Sequence, residues 1–429
     1  MFSDESILHY IWKCKLFPVK DLRLKSGESL KIIRVGQQND DAGPDFYESR
    51  IRIGKTLWAG SVEIHINASD WIKHHHQKDK AYDNVILHVV WNDDKKIFRT
   101  DGTLVPALEL KSLINKDILE KIERLKDNNS SIPCKKEIHK VDKFTYRNWL
   151  DRVLVERLDY KIAHIKRLFD GNKGSWEDTF HILLARNFGF KINQQPFEML
   201  ARNLPQRLFG HHKSNLRQIE ALVFGVAGFL DKEFIDTYPD SLKKEFEFLK
   251  RKYRLTTLDK FIWKFSKTRP DNFPTIRLAQ FAALIHRSSH LFSKLLESRE
   301  IDDYKAFFSN LEINNYWFYN YDFEKERKRE TLVKIGAGSV DNLLINSIVP
   351  MLFFYGNYMQ RDLFKSRALN ILEKLKAEEN SPVNNFRKLG LEIVSAADSQ
   401  GILHLKNFYC NQKKCLNCAI GAKILNLKR

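Results

Sequence analysis

The sequence is short of cysteine, of acid relative to base, and of long apolar runs. Its 429 residues include only 5 Cys, three of them bunched near the end. That is too few for a disulfide framework in a chain of this length. It fits a reducing, cytoplasmic compartment and a metal or cluster site. No uninterrupted apolar run approaches about 18 residues, so no transmembrane helix and no membrane partner are expected. The opening Met-Phe-Ser-Asp-Glu-Ser is acidic and lacks signal-peptide character. No repeat of fixed period appears. The lone glycine-rich turn at Gly336-Ala-Gly-Ser lacks the lysine and context of a phosphate loop. Acids number 54 against 72 Lys and Arg, a net charge of +18 and a pI near 9.5. This excess of positive charge points to an anionic partner, and nucleic acid, DNA or RNA, is the commonest. With 43% hydrophobic and 12% aromatic residues, the chain can bury a sizeable core in two or three domains.

The patterning divides into three. Residues 1–130 alternate short helices with strands. Ser6–Leu16 carries one apolar face, Ile7, Leu8, Ile11 and Trp12, and reads as a helix. Ser29–Val35, Phe46–Ile53 and Leu57–Ile66 read as strands, the last two joined at Gly54-Lys55. Gly36–Gly43 reads as a loop, and Ser69–Asp70 as the cap of a short helix. Asn84–Trp91 is a near-continuous apolar run, the mark of a central strand buried on both faces. Ile97–Thr100 and Leu104–Leu110 read as further short strands. After a polar linker, residues 138–400 are spaced mostly for helices, and residues 401–429 form a cysteine-rich tail. The fold class expected is an α+β domain with a mixed sheet, then a mostly α-helical domain and the tail.

The stretch from Asp40 to His65 concentrates the chemistry. Asp45 follows a Gly-Pro turn, and one hairpin later Glu63 and His65 share a strand face, because alternate strand residues point the same way. An acid and an imidazole within hairpin reach of another carboxylate can hold a divalent metal. Asp40 or Asp41 offers a further carboxylate. His88, on the neighbouring run, reads as a hydrogen-bonded core histidine within reach of the site. His74, His75 and His76 read as solvated. Arg269 and Arg277 flank Pro-Asp-Asn-Phe-Pro, a rigid loop whose guanidinium groups suit phosphate. Pairing inside the helical domain is the other reading.

Cys410, Cys415 and Cys418 sit at x4 and x2 spacings among lysines. Three thiolates need a fourth ligand to hold Zn²⁺ or a [4Fe-4S] cluster. Cys134 is favoured over His404, because a ligand there clasps the tail back to the first domain boundary. Cys14 reads as packing.

Gly-Pro-Asp-Phe, Trp-Ala-Gly-Ser-Val-Glu-Ile-His, Tyr-Asp-Asn-Val-Ile-Leu-His-Val-Val, Arg-Pro-Asp-Asn-Phe-Pro and the closing cysteines together resemble the bacterial family catalogued as domain of unknown function 2851. The helix–strand–strand–strand–helix–strand order is also similar to the core of the PD-(D/E)XK nuclease superfamily. That second resemblance implies a restriction-endonuclease-like fold with Asp45 and Glu63 binding Mg²⁺ or Mn²⁺. It puts His65 where the superfamily carries lysine, as the group that orients or activates water. Cys134 with the three tail cysteines is likewise similar in layout to the iron–sulfur clasp of some repair nucleases. The expected function is a metal-dependent phosphodiesterase acting on DNA or RNA. The alternative is a non-catalytic nucleic-acid-binding or assembly factor with a degenerate nuclease core.

Overall fold

The computed structural model describes residues 4–39, 41–127, 130–266, 268–288 and 290–426. The chain divides into two compact units. The first comprises Met1–Trp149, Leu389–Leu391 and Leu405–Arg429, and the second Leu150–Lys388 and Glu392–His404.

The first unit is α+β. Helix α1, Glu5–Cys14, begins where the Asp4 carboxylate accepts from the backbone N–H of Ser6 at 3.0 Å, and it ends on Lys15 in the left-handed conformation. Its apolar stripe, Ile7, Leu8, Ile11 and Trp12, is buried. Six strands follow: β1 Leu30–Arg34, β2 Gln37–Gln38, β3 Phe46–Ile53, β4 Thr56–Asn67, β5 Val85–Asn92 and β6 Ala107–Glu109. They form one sheet in the order β1-β3-β4-β5-β6, with β2 paired to β3. β1, β3 and β4 run antiparallel, whereas β4, β5 and β6 run parallel. Helix α2, Asp70–Lys73, and two short 3₁₀ turns occupy the crossover from β4 to β5. Helix α3 spans Lys116–Asp127.

β4 changes character along its length. Residues 56–59 are exposed and 61–65 are buried. The buried half is where β5 joins in parallel register, Glu63 opposite His88. Gly60 sits at the changeover, where a β-carbon would fall 2.4 Å from the Asn84 carbonyl oxygen, so only glycine lets the two strands meet. Val62 and Ile64 join the core formed with α1. Alternation turns Glu63 and His65 to the opposite face. Two sequence expectations differ from the structure. Residues 97–100 make a single bridge, Phe98 to Leu104, and no strand. The loop from Gly36 contains the two-residue β2, held by pairing of Gln37 with Tyr47.

The second unit is mostly helical, built on one large core that includes Phe180, Phe188, Phe197, Phe224 and Phe281. Its helical run Ala337–Tyr358 is long and apolar enough by composition to cross a bilayer, and 67% of its most apolar window is buried inside the protein, as in a core helix. Asn342, Asn346 and Ser347 interrupt its apolar residues, which is why no unbroken run is visible. A π turn, Leu344–Ile348, precedes Pro350 in this run. Proline cannot donate to the preceding turn, and the wider helix relieves that mismatch.

Candidate metal centre

Asp45 stands at the entrance to β3, beside a bulge. The β3–β4 register shifts between Phe46 and Ser49, and Glu48 takes a positive φ of 55°. The Asp45 carbonyl still accepts from the Asn39 N–H at 2.7 Å on the β2 side, while towards β4 Asp45 bonds Glu63 and Ile64. Its backbone N–H donates to Glu63 Oε2 at 3.1 Å, and its carboxylate Oδ2 accepts from the N–H of Ile64 at 2.9 Å. Helix α1 supplies two more groups, Glu5 and His9, one turn apart on its polar edge. His9 Nε2 lies 3.3 Å from Asp45 Oδ2, and one ligand atom from each of Glu5, His9 and Asp45 fits within a 4.8 Å span. His9 and Asp45 retain about a fifth of their side-chain exposure (21% and 22%), so this end of the site is open to solvent.

The electrostatics are those of crowded acids. Burial pushes Glu63 up to about 8, with the nearby Asp45 charge adding to it. Burial and Asp45 likewise push Glu5 up to about 7. Burial pulls His9 down, but the hydrogen bond and charge of Asp45 outweigh it and leave its pKa raised. Carboxylates that repel one another in the metal-free protein are stabilised together by a divalent cation.

On the other side of Glu63 lies a group of histidines. Glu63 Oε1 is 3.3 Å from His76 Nε2 and 3.6 Å from His65 Nε2. His65 is 2% exposed. Its Nδ1 is 2.8 Å from His88 Nε2 and its Nε2 is 3.1 Å from His74 Nδ1. Burial, and then the neighbouring imidazoles, lower its pKa to about 3, so it is neutral. It therefore faces other imidazoles, and the open end of the site belongs to Glu5 and His9. His88 is fully buried, as expected of a core histidine. His74 and His75 are exposed, but His76, read from sequence as solvated, is buried. The sequence reading also passed over Glu5 and His9, although their Glu-x₃-His spacing puts both on one helix face. Asp41 is exposed on its loop, and its N–H bonds Asn39. Asp40 lies outside the described residues.

Cys134, Cys410, Cys415 and Cys418 lie in the first unit close enough for their charges to act on one another, but among the described residues no three of their sulfurs share the 4.8 Å span that the acid and histidine groups meet. Burial, then the charges of Cys418 and Cys415, push Cys134 up to about 12. Burial, then Cys134, Cys418 and Cys415, raise Cys410 too. Burial pushes Cys418 up to about 11 and also raises Cys415. Gly421 lets the last helix close on this group, for a β-carbon there would meet the Cys415 carbonyl oxygen at 2.1 Å. Thiols of this kind, beside Lys406 and Lys413, have the donor chemistry of a soft-metal site, but the sulfurs must draw closer to share one ion. His404 is not drawn on for this purpose; its Nε2 lies 3.6 Å from Glu156 Oε2. Cys14 is half-buried in α1, and burial raises its pKa.

In the second unit, Arg269 and Arg277 line one cavity of about 390 Å³. Arg269 is exposed. Arg277 is 5% exposed and is held by Gln280, Asn272 and Ser339, with its guanidinium 4.3 Å from the Phe190 ring centroid. Burial lowers its pKa to about 10. Its fork is spent on organising the interior, so Arg269 is the member of the pair presented to solvent.

A mixed sheet with acids and imidazoles gathered at the mouth of its central strands defines an α+β protein with a candidate divalent-metal centre. The chain belongs to the family described as protein of unknown function (DUF2851), whose model matches residues 5–381. That span takes in the acid–histidine centre and Cys134 and stops short of the three tail cysteines. No curated protein and no solved structure matches the chain.

Proposed function

We propose that the first unit is a metal-dependent phosphodiesterase acting on DNA or RNA, with the acids around Asp45 as its centre. The observation that carries the reading is the convergence of Glu5, His9 and Asp45, with Glu63 bonded to the Asp45 backbone. The strand order supports it. An antiparallel trio whose third strand pairs in parallel with the next, with a helix ahead of the trio, is the arrangement expected of a PD-(D/E)XK-like, restriction-endonuclease-like core.

Asp45 and Glu63, joined by Glu5, provide the hard oxygen donors that Mg²⁺ or Mn²⁺ requires. When bound, the cation polarises a phosphoryl oxygen and acidifies a water. The chain's own residues do the rest. The Ile64 N–H and the bulge at Glu48 aim the Asp45 carboxylate. Glu63, buried, keeps water from the rear of the centre. His9, at the solvent-facing end, is the side chain placed to pass a proton between the reacting groups and solvent. His65 enters this reading as a positioning group behind Glu63, since both its nitrogens contact other histidines. Cys134 and the three tail cysteines are the residues that would hold Zn²⁺ or a [4Fe-4S] cluster, with their sulfurs drawing together on the metal and tying the tail to Cys134.

One observation favours the second reading, a nucleic-acid-binding or assembly factor. The position where the nuclease superfamily carries lysine is His65, buried and engaged. Incubation of the purified protein with Mn²⁺ and single- or double-stranded DNA or RNA, beside Asp45→Asn, separates the two. Cleavage lost in the variant supports the enzyme. Binding that survives in the variant, with no cleavage by either protein, supports the factor.

A further inference from the structure

The histidines behind Glu63 do not share the chemistry of the acids in front of it. His65 reaches the site from β4, and His74 and His76 reach it from the turn after α2. His74 closes α2, and His75 then takes a left-handed φ of 63°. That turn sends the His75 ring outward and returns His76 to the same point as His74. The three rings each offer a nitrogen within a common 4.8 Å span.

We propose that His65, His74 and His76 form a binding site for a transition-metal ion of the Zn²⁺ class, with Glu63 at its edge. The distances fit that size of ion. Metal–nitrogen bonds of about 2.0–2.1 Å give donor–donor edges of roughly 3.3 Å in a tetrahedron. His65 Nε2 lies 3.1 Å from His74 Nδ1, and Glu63 Oε1 lies 3.3 and 3.6 Å from His76 Nε2 and His65 Nε2. Imidazole nitrogens are borderline donors, which favour zinc, copper, nickel or iron over Mg²⁺ and Ca²⁺.

The surroundings are built to orient these rings. If His65 offers Nε2 to a metal, its Nδ1–H points at His88 Nε2, 2.8 Å away, the kind of outer hydrogen bond that fixes a ligand's tautomer. His88 itself is fully buried, with Nδ1 lacking a partner. The His76 ring stacks on Tyr82 at 3.7 Å between centroids and meets Trp71 edge-on at 5.3 Å. His74 is exposed, so the ion has an entry path. Without an ion the rings can form a chain of N–H···N bonds. That chain does not account for the buried Glu63 carboxylate set against His65 and His76. The site meets the acid centre at Glu63, which gives one oxygen to each, but it does not depend on the phosphodiesterase reading.

The test measures metal content. The full-length protein is stripped with a chelator, reloaded with Zn²⁺ and dialysed, and zinc is counted in wild type, His74→Ala, the His74→Ala/His76→Ala pair and Asp45→Asn. The pair is expected to hold one zinc equivalent fewer than wild type, with any zinc at the cysteines retained. His74→Ala, at an exposed position, is expected to weaken the site by at least ~100-fold with the circular dichroism spectrum unchanged, which keeps the test readable should loss of the buried His76 unfold the unit. Asp45→Asn is expected to keep the equivalent. Equal zinc in wild type and both histidine variants, or loss of the same equivalent in Asp45→Asn, overturns the proposal. Neither result depends on whether the protein cleaves nucleic acid.

Discussion

Asp45 and Glu63 hold one another in place: the Asp45 N–H donates to Glu63 Oε2 at 3.1 Å, while the Asp45 carboxylate is anchored on the next residue of β4, Ile64, at 2.9 Å. Burial and Asp45 put Glu63 at about 8, and burial puts Glu5 at about 7, so at neutral pH in the metal-free protein Glu63 is mostly protonated and Glu5 about half. A cation must displace those protons. Mn²⁺ affinity is therefore expected to rise between pH 6 and 8, approaching tenfold per pH unit for each proton released. Calorimetric titration in two buffers of different ionisation enthalpy counts the protons directly. Affinity that is flat across this range would show that the acids do not bind the ion. The metal-free protein has the opposite trend. Its native state binds more protons than the unfolded chain between the ordinary carboxyl value and about 8, so stability falls as pH rises through that window. Glu63→Gln is expected to flatten the fall.

The second unit contains a similar liability away from any site. Glu220 is 1% exposed, and its Oε1 lacks a hydrogen-bond partner. Burial raises its pKa from 4.5 to about 7, which corresponds to about 3 kcal/mol of lost stability once the carboxyl is forced to ionise. The native state holds the extra proton, so this cost grows from pH 4.5 upward and is complete above about 7. Glu220→Gln is expected to stabilise the protein at pH 8 by about 2–3 kcal/mol and to leave it nearly unchanged at pH 4.5. Thermal denaturation at the two pH values checks this. Equal gains at both would place the effect elsewhere than in the charge.

For the thiols, the expected outcome is a bound metal whose loss loosens the tail. Cys134→Ser removes one of the four sulfurs in electrostatic range of one another. It is expected to lower metal content and to expose residues 405–426 to proteolysis, because the bond from Cys134 through the metal to the tail is then missing. Absorbance near 400 nm (roughly where iron–sulfur clusters absorb) identifies a cluster, and a colourless protein with zinc identifies a structural clasp. Wild type purified with neither metal, and unable to take up either, would refute the clasp.

Much of the scaffold was legible in the sequence. Alternation marked β3, and the continuous apolar run Val85–Val90 marked β5 as buried on both faces. The adjacency of Glu63 and His65 followed from the two-residue period of a strand alone. What could not be read depended on backbone turns and distant partners. His76 is buried because His75 adopts a left-handed conformation, which nothing in three consecutive histidines announces. Glu5 and His9 matter because α1 lies against β4, and a helix's apolar stripe says where its core face is without saying what its polar edge will meet. Arg277 looked like the exposed flank of a proline loop, yet Phe190 and Ser339, distant in the chain, and Gln280, a helical turn further on, take up its guanidinium.

The remaining prediction concerns the positive charge. On the open face of the antiparallel strands, Lys31 lies opposite Arg52 and Arg34 opposite Arg50, all four exposed. Like charges directly across a ladder destabilise it. Arg34 is relieved by Glu48 at 3.2 Å, whereas among the described residues Lys31, Arg50 and Arg52 have no acid partner. A phosphate backbone laid across this face would neutralise the repulsion. The triple variant Lys31→Ala, Arg50→Ala, Arg52→Ala is expected to bind nucleic acid more weakly, and its log–log salt dependence to shrink by about 2–3, one step of about 0.9 for each phosphate that is no longer neutralised. The same variant is expected to be at least as stable as wild type, since the repulsion between the cations is removed. Fluorescence anisotropy at several salt concentrations measures the slope. An unchanged slope would move the nucleic-acid interface off this face, leaving the three cations as solvated charge.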